Sequence, residues 1–298
     1  MSNFVIDAAV RNHKGRIRQN NEDSFYLDGK LMALKEMDAG GLFKLKTDSN
    51  QRIFAVCDGM GGTVAGEEAS HMAVQTIARN RSIIQSFHKP AAIIKMVRNL
   101  SDAVHNVGKR RNARSGATLT MCLLNNEQIR LVHVGDSRIY MSHGDEFKQM
   151  TEDHSEVQRM ISLGILTKEE AKDHPKRHVI NQYLGISSED EMIDPGITDP
   201  LPLRTGDRYL LCSDGLTDMV GDTDIQKILA QSPNATAACD ALVNQALKNG
   251  GKDNVTVMCL YVGKEKKSSF RLQLDTLLMG LLAGGALLLL ADLIYRMF

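Results

Sequence analysis

The stretch IFAVCDGMGG, residues 53–62, sets the reading of the whole chain. A run of strand-forming residues passes directly into an aspartate next to a glycine, so a carboxylate stands where a buried strand leaves the core. The pattern recurs in LVHVGD (131–136) and YLLCSDG (209–215). A fourth aspartate, Asp253, stands just before VTVMCL (255–260). A fifth acidic site, Glu22–Asp23, follows RQNN (18–21) and opens another strand-like run. One Asp-Gly pair can do no more than turn the chain. Repetition at several strand ends points to strands that deliver carboxylates to one place.

Clustered carboxylates repel and raise one another's pKa, so they persist as anions only beside cations. The set Asp58, Asp136, Asp214, Asp253, Glu22 and Asp23 offers oxygen ligands, with no His or Cys at metal spacing. Such a set favours Mg²⁺ or Mn²⁺ over Zn²⁺. Gly59, Gly61 and Gly62 let backbone approach a ligand closely, and the Gly59 carbonyl is itself a candidate ligand. Two divalent cations about 3.5–4 Å apart lower the pKa of a shared water and make it a hydroxide nucleophile. A phosphoester substrate then needs a cationic clamp. Arg18, four residues before Glu22, is the candidate, and a plain surface arginine is the alternative.

Around these sites lie strand-like runs at 4–10, 53–57, 118–124, 129–134, 138–142, 209–212 and 255–262. Helical periodicity covers 66–85, 91–107 and 234–248, the last stopped by Gly250–Gly251. Runs of strands with paired helices predict antiparallel sheets with helices packed outside, an α+β layered fold. No internal repeat or low-complexity stretch is present.

The bulk numbers narrow the function. Lys plus Arg equals Asp plus Glu at 36 each, so the basic excess of a nucleic-acid-binding protein is absent. The short cluster Lys109, Arg110, Arg111, Arg114 reads as a solvated loop or an anionic docking patch. Cys57, Cys122, Cys212, Cys239 and Cys259 form no CxxC pair and are expected as buried free thiols in a reducing compartment. The opening MSNFVIDAAVRNHKG lacks the apolar stretch of a signal peptide.

The character of the chain changes near residue 262. Residues 1–262 read as one globular domain, and GKEKKSSFR (263–271) as a basic linker. Residues 277–291 are uncharged and mostly Leu, Ala and Gly, and within 276–298 the charged residues are Asp292 and Arg296. A helix needs roughly 20 residues to cross the hydrocarbon core. A single transmembrane helix over 272–298 is expected, with a buried or partner-docking helix as the alternative. Lys264, Lys266, Lys267 and Arg271 precede it, so the globular domain is expected on the cytoplasmic side. Gly280 and Gly284 have the GxxxG spacing that suits weak self-association.

Seven motifs then occur in one order: GRIRQNNED (15–23), VCDGMGG (56–62), SGAT (115–118), VGDSRIY (134–140), TEDHS (151–155), CSDGL (212–216) and DNVT (253–256). Together they resemble the metal-dependent serine/threonine phosphatases of the 2C type, in their short bacterial form, over about residues 12–262. The resemblance implies a sandwich of two antiparallel sheets flanked by helices, a four-layer α-β-β-α fold. It implies Mn²⁺ or Mg²⁺, two and a weaker third. Asp58 would bridge both metals, with the Gly59 carbonyl on one and Asp214 and Asp253 on the other. Glu22 and Asp23 would act partly through metal-bound waters, Asp136 would help bind the third metal together with Asp214, and Arg18 would bind the phosphate. Residues 155–184 look like the flap beside the active site. The implied partners are phosphorylated proteins, with an opposing Ser/Thr kinase.

The chain departs from the family in places. Met60 and Thr63 stand where members carry a histidine, so neither supplies the proposed general acid, a role left to a metal-bound water. Residues 29–51 are longer than usual between the NED strand and DGMGG and are expected to form a long hairpin, or else a substrate or partner element. His133 is read as a packed strand residue, whereas His154 and His178 lie near the flap, where a functional role is the alternative to a structural one. Two other functions remain in view. One is a pseudophosphatase that only binds, against which the complete carboxylate set argues. The other is a phosphohydrolase of small metabolites, which differs in its substrate groove.

Overall fold

The structure is a computed structural model that describes residues 4–60, 65–187 and 192–264. Contacts divide the chain into two units, Met1–Gly263 and Lys264–Phe298, and the first holds the sheets, the helices and the acidic strand ends. Gly61, Gly62, Thr63, most of the linker, the expected transmembrane helix and Gly280/Gly284 lie outside the described residues. Among the described residues no helix is long and apolar enough to cross a membrane.

The strands in chain order are β1 (Phe4–His13), β2 (Asp23–Leu27), β3 (Gly41–Asp48), β4 (Arg52–Met60), β5 (Gly116–Ala117), β6 (Leu119–Asn125), β7 (Gln128–Val134), β8 (Arg138–His143), β9 (Glu146–Gln149), β10 (Gly196–Ile197), β11 (Leu201–Pro202), β12 (Arg208–Cys212) and β13 (Val255–Lys264). The helices are α1 (Ala65–Arg79), α2 (Pro90–Arg111), α3 (Glu156–Ser162), α4 (Lys168–Lys172), α5 (Asp214–Thr217), α6 (Asp222–Gln231) and α7 (Ala235–Lys248). One sheet runs β3-β1-β13-β12-β8-β9. The other runs β10-β7-β6-β4-β2, with β11 on β7 and β5 on β4.

The two sheets stack, and helices cover both outer faces. Strand residues alternate between two buried layers, which is why their sequences read as continuous apolar runs. On β4, Phe54 and Val56 point between the sheets, where they meet Leu211, Met258 and Leu260. Ile53, Ala55 and Cys57 point the other way, onto Ala73, Ile77 and Leu100 of α1 and α2. On β13, Val255, Val257 and Cys259 face Leu229, Leu242 and Ala246 of α6 and α7. Each such large side chain contributes roughly 1.5–3 kcal/mol by leaving water. This is the four-layer sandwich that the motifs implied. All five cysteines are buried and free.

The helix ends follow local chemistry. The periodicity over 66–85 is split. Asn80 turns its side-chain amide back onto the Thr76 carbonyl at 2.8 Å, ending α1, and a 3-10 turn, Arg81–Ser86, follows. Pro90 opens α2, and Asn112 in the left-handed region closes it. The Asn234 side chain accepts a bond from the Ala237 amide at 2.8 Å and caps α7.

Residues 29–51 do not form the expected hairpin. A 3-10 turn, Leu34–Ala39, leads into β3, which pairs with β1 of the other sheet from Val5↔Asp48 to Asn12↔Gly41. The ten-residue β1 has an open edge that this insertion closes, and Phe43 packs on Phe25 at 5.1 Å between ring centroids. The turn also braces the acidic opening of β2. Asn21 donates to the Met37 carbonyl at 2.9 Å, and its own amide donates to Asp38 at 2.7 Å.

Candidate metal centre

The strand ends do converge. Asp23 and Asp58 lie opposite each other in the β2–β4 register. Asp58 is held from the link between β5 and β6 as well: its amide donates to Thr118 Oγ1 at 2.9 Å and its carbonyl accepts from the Thr118 amide at 2.8 Å. Asp214 opens α5 just after β12, and Asp253 sits in the turn before β13. Asp136 follows β7. Asp58, Asp136, Asp214, Asp253, Glu22, Gly59 and Arg18 all line one cleft. Asp23 does not line it. It lies beneath the floor, 1 % exposed, against the Asp58 carboxyl.

The backbone around these groups leaves no slack. A Cβ on Gly59 would lie 2.1 Å from the Gly66 carbonyl oxygen and 2.6 Å from that of Glu22. Only glycine permits the chain to pass there. Gly215 is pressed against Asn254 in the same way, at 1.9 Å from its carbonyl oxygen. Asn254 accepts from the Glu22 amide at 2.8 Å and donates to the Lys14 and Asn20 carbonyls at 2.8 and 2.9 Å. It thereby ties the NED turn to the DNVT turn, a bracing role that its place within DNVT signals.

The electrostatics agree with the crowding. Burial raises Asp58 well above the usual carboxylate range, and Asp23, Asp214, Asp136 and Asp253 push it further. Burial raises Asp214 likewise, with Asp136 and Asp253 the leading charges. Asp136 is pushed up to about 6 by burial and Asp153. Glu22 is pushed up to about 7 by burial, with Arg18 opposing. Asp23 is pushed up to about 6 by burial, although Ser213 donates to its Oδ2 at 2.7 Å. Its Oδ1 is buried with no hydrogen-bond partner. Crowded carboxylates, an orphaned buried oxygen and an all-oxygen donor set fit divalent cations.

Arg18 stands beside the cluster. Its guanidinium is about half exposed, lines the cleft, and donates to Asp253 Oδ2 at 2.6 Å. The expected clamp and one expected ligand therefore touch directly. Met60 ends β4 against Gly116 of β5.

Two residues join the site that the motifs did not supply. The ligand atoms of His178, Asp214 and Asp218 lie within 4.8 Å of one another. Asp218 is one helical turn past Asp214, a spacing visible in DGLTD. His178 carries no such signal, because only the folded flap brings it to within 3.7 Å of Asp218. His133 is 9 % exposed and bonds the Glu152 carbonyl at 2.8 Å. The His154 ring packs on it in a tilted contact at 4.7 Å between ring centroids, and burial lowers the His154 pKa to about 4. Neither lines the cleft. The His154 backbone instead links the turn at Gly135 to Asn181 at the base of the flap, by bonds of 2.9 Å each.

That flap is pinned at its base by the bridges Ser155↔Ile180 and Ala117↔Leu184. It carries α3 and α4, each N-capped, by Ser155 and by Thr167. Sequence periodicity missed both helices because they have seven and five residues. The flap and the acidic floor line the same cleft.

Residues 38–249 match the family model described as Protein phosphatase 2C. The chain belongs to the protein phosphatase 2C family. The serine/threonine phosphatase stp of Listeria monocytogenes is 32% identical over 259 residues, covering 85% of this chain and 94% of its own. The crystal structure of the serine/threonine phosphatase PstP of Mycobacterium tuberculosis is similar at a TM-score of 0.72 and 33% identity, over 88% of this chain and 100% of that one. A crystal structure of the PstP catalytic domain with two manganese ions matches at a TM-score of 0.69 and 32% identity, again over 88% and 100%. With these relatives, this member of the family is a serine/threonine protein phosphatase.

Proposed function

We propose that the protein hydrolyses phosphoserine and phosphothreonine in other proteins, with Mn²⁺ or Mg²⁺ held by the carboxylates at the strand ends. The observation that carries this reading is the convergence of Asp58, Asp136, Asp214 and Asp253 on one cleft with Arg18 at its rim. Asp58, Asp214, Asp253 and the Gly59 carbonyl would hold two cations, and Asp136 with Asp214 a third. Bound there, divalent cations neutralise the floor and lower the pKa of a water enough to make it a nucleophile near neutral pH. The chain's own residues do the rest. Arg18 offers its planar fork to the phosphate oxygens and fixes the phosphorus over the floor. Ser213 and Asn254 hold Asp23 and the Glu22 turn in place behind it.

The reaction consumes what a Ser/Thr kinase makes, so the protein opposes such a kinase. The C-terminal tail adds a place of action. A basic linker followed by fifteen uncharged residues, 277–291, suits a membrane anchor with the catalytic domain on the cytoplasmic side. Anchoring raises the effective concentration of substrates at the same surface.

The test is phosphate release from a phosphothreonine peptide, with and without Mn²⁺, by the wild type and by Asp58→Asn. Release that requires Mn²⁺ and disappears in the variant is expected. A folded, Mn²⁺-loaded wild type that releases nothing would turn the reading to the pseudophosphatase. Turnover of small phosphoesters with none of the peptide would turn it to a metabolite phosphohydrolase.

A further inference from the structure

The flap divides its charges between its two sides. Lys168 and Lys172 are one turn apart on α4, so they share a face. That face lines the cleft, and so does Arg177. Glu169 and Glu170, between the lysines, do not line it. The Glu170 carboxylate is turned back on Thr167, accepting from its amide and hydroxyl at 2.8 Å each. Ala171, 7 % exposed, anchors the helix. Thr167 and Glu170 form a capping box that orients its first turn. Among the described flap residues, Asp173 is the one carboxylate in the cleft wall. Lys168, Lys172 and Arg177 are exposed, and among the described residues none of the three belongs to an ion pair. Arg177 adjoins His178, which meets Asp218 at 3.7 Å, so the cationic face begins beside the floor.

These cations are in excess of what the reaction centre needs. The scissile phosphate has Arg18 and the floor. With divalent cations on the floor, the other carboxylates of the cleft outside the flap are engaged elsewhere, Asp153 with Arg138 at 2.7 Å, Asp218 with His178 at 3.7 Å, Asp222 with Tyr140 at 3.0 Å and Glu152 with Gln158 at 3.1 Å. We propose that Lys168, Lys172 and Arg177 form a subsite for a second anionic group on the substrate segment, several residues from the scissile phosphate. The chemistry recognised is a carboxylate or phosphate on the same extended peptide, which spans about 3.3 Å per residue. An aspartate or glutamate and a second phosphorylated residue are its two sources. The inference rests on the phosphatase reading and names the substrate class for it.

The experiment uses the full chain with Mn²⁺ and three peptides that share one central phosphothreonine. One has neutral flanks, one has Asp or Glu two to four residues away on each side, and one has a second phosphothreonine there. Affinity is read by fluorescence anisotropy, and kcat and KM by phosphate release, for the wild type and for Lys168→Gln/Lys172→Gln/Arg177→Gln. An anionic flank is expected to lower Kd and KM about tenfold in the wild type, with kcat little changed. Tenfold is about 1.4 kcal/mol, in the range of two or three exposed ion pairs. The triple variant is expected to bring the peptides within about twofold of one another. Its rates on the neutral peptide and on p-nitrophenyl phosphate are expected to stay unchanged. A preference for both anionic peptides assigns the subsite to charge in general, and a preference for the doubly phosphorylated one assigns it to phosphate. Equal affinities in the wild type, or a preference that survives in the variant, overturn the subsite. Failure of the wild type to turn over the neutral peptide sinks the phosphatase reading instead, and the affinities still decide the subsite.

Discussion

Replacing Asp23 by Asn is expected to stabilise the metal-free protein while weakening its response to Mn²⁺. Asp23 is 1 % exposed, with Ser213 on one oxygen and nothing on the other. Its carboxyl is pushed up to about 6, from an unfolded value near 3.9. The folded state therefore binds more protons than the unfolded state between about pH 4 and 6, and stability falls as pH rises through that window. Above it the ionised carboxylate costs roughly 3 kcal/mol at 1.36 kcal/mol per unit. The neighbouring Asp58 shares the burden, so about 1–3 kcal/mol is the working range. Asparagine keeps the shape and the bond from Ser213 and carries no charge. The assay is urea unfolding in chelator from pH 4 to 8, repeated with Mn²⁺. At pH 7.5 in chelator the variant should be the more stable by that margin, with a flatter pH dependence below pH 6. Mn²⁺ should invert the order, because a cation that binds the folded wild type more tightly than the folded variant adds the larger RT ln(1 + [L]/Kd) to the wild type. A variant less stable than wild type in chelator, with the same pH slope, would refute the view that uncompensated charge dominates this site.

Gly59→Ala forces a Cβ to within 2.1 Å of the Gly66 carbonyl oxygen. It should cost about 1–3 kcal/mol, read as a lower Tm, and should reduce Mn²⁺-dependent turnover with it. Asn234→Ala removes the cap of α7. About 1 kcal/mol of stability should go, while turnover, measured on the phosphothreonine peptide, stays at the wild-type level. Deleting residues 265–298 leaves β13 whole and should yield an active enzyme that no longer pellets with membranes. A truncated protein that still pellets would refute the tail as anchor.

The acidic strand ends were legible in the sequence because each local fragment, strand then Asp then Gly, declares its own geometry. The motif order added the α-β-β-α layering, and the structure bears that out. Other elements carried no such signal. The insertion at 29–51 reads locally as a hairpin, yet β3 crosses to the edge of the other sheet, because the free partner for its backbone groups is β1. The five-residue α4 and seven-residue α3 are too short for periodicity. Asp23 and Asp58 look alike as strand-end acids, but the β2–β4 register places one under the floor and the other in the cleft.

The sequence by itself determined where the candidate acidic and cationic residues stand along the chain. Side-chain type and local backbone are written within a few positions of each aspartate and glycine. Only the tertiary structure decided which of them meet. Arg18 touches Asp253 across 235 positions, and His178 reaches Asp218 across 40. Such contacts depend on strand register and on how the flap is pinned, and packing of distant apolar faces sets both.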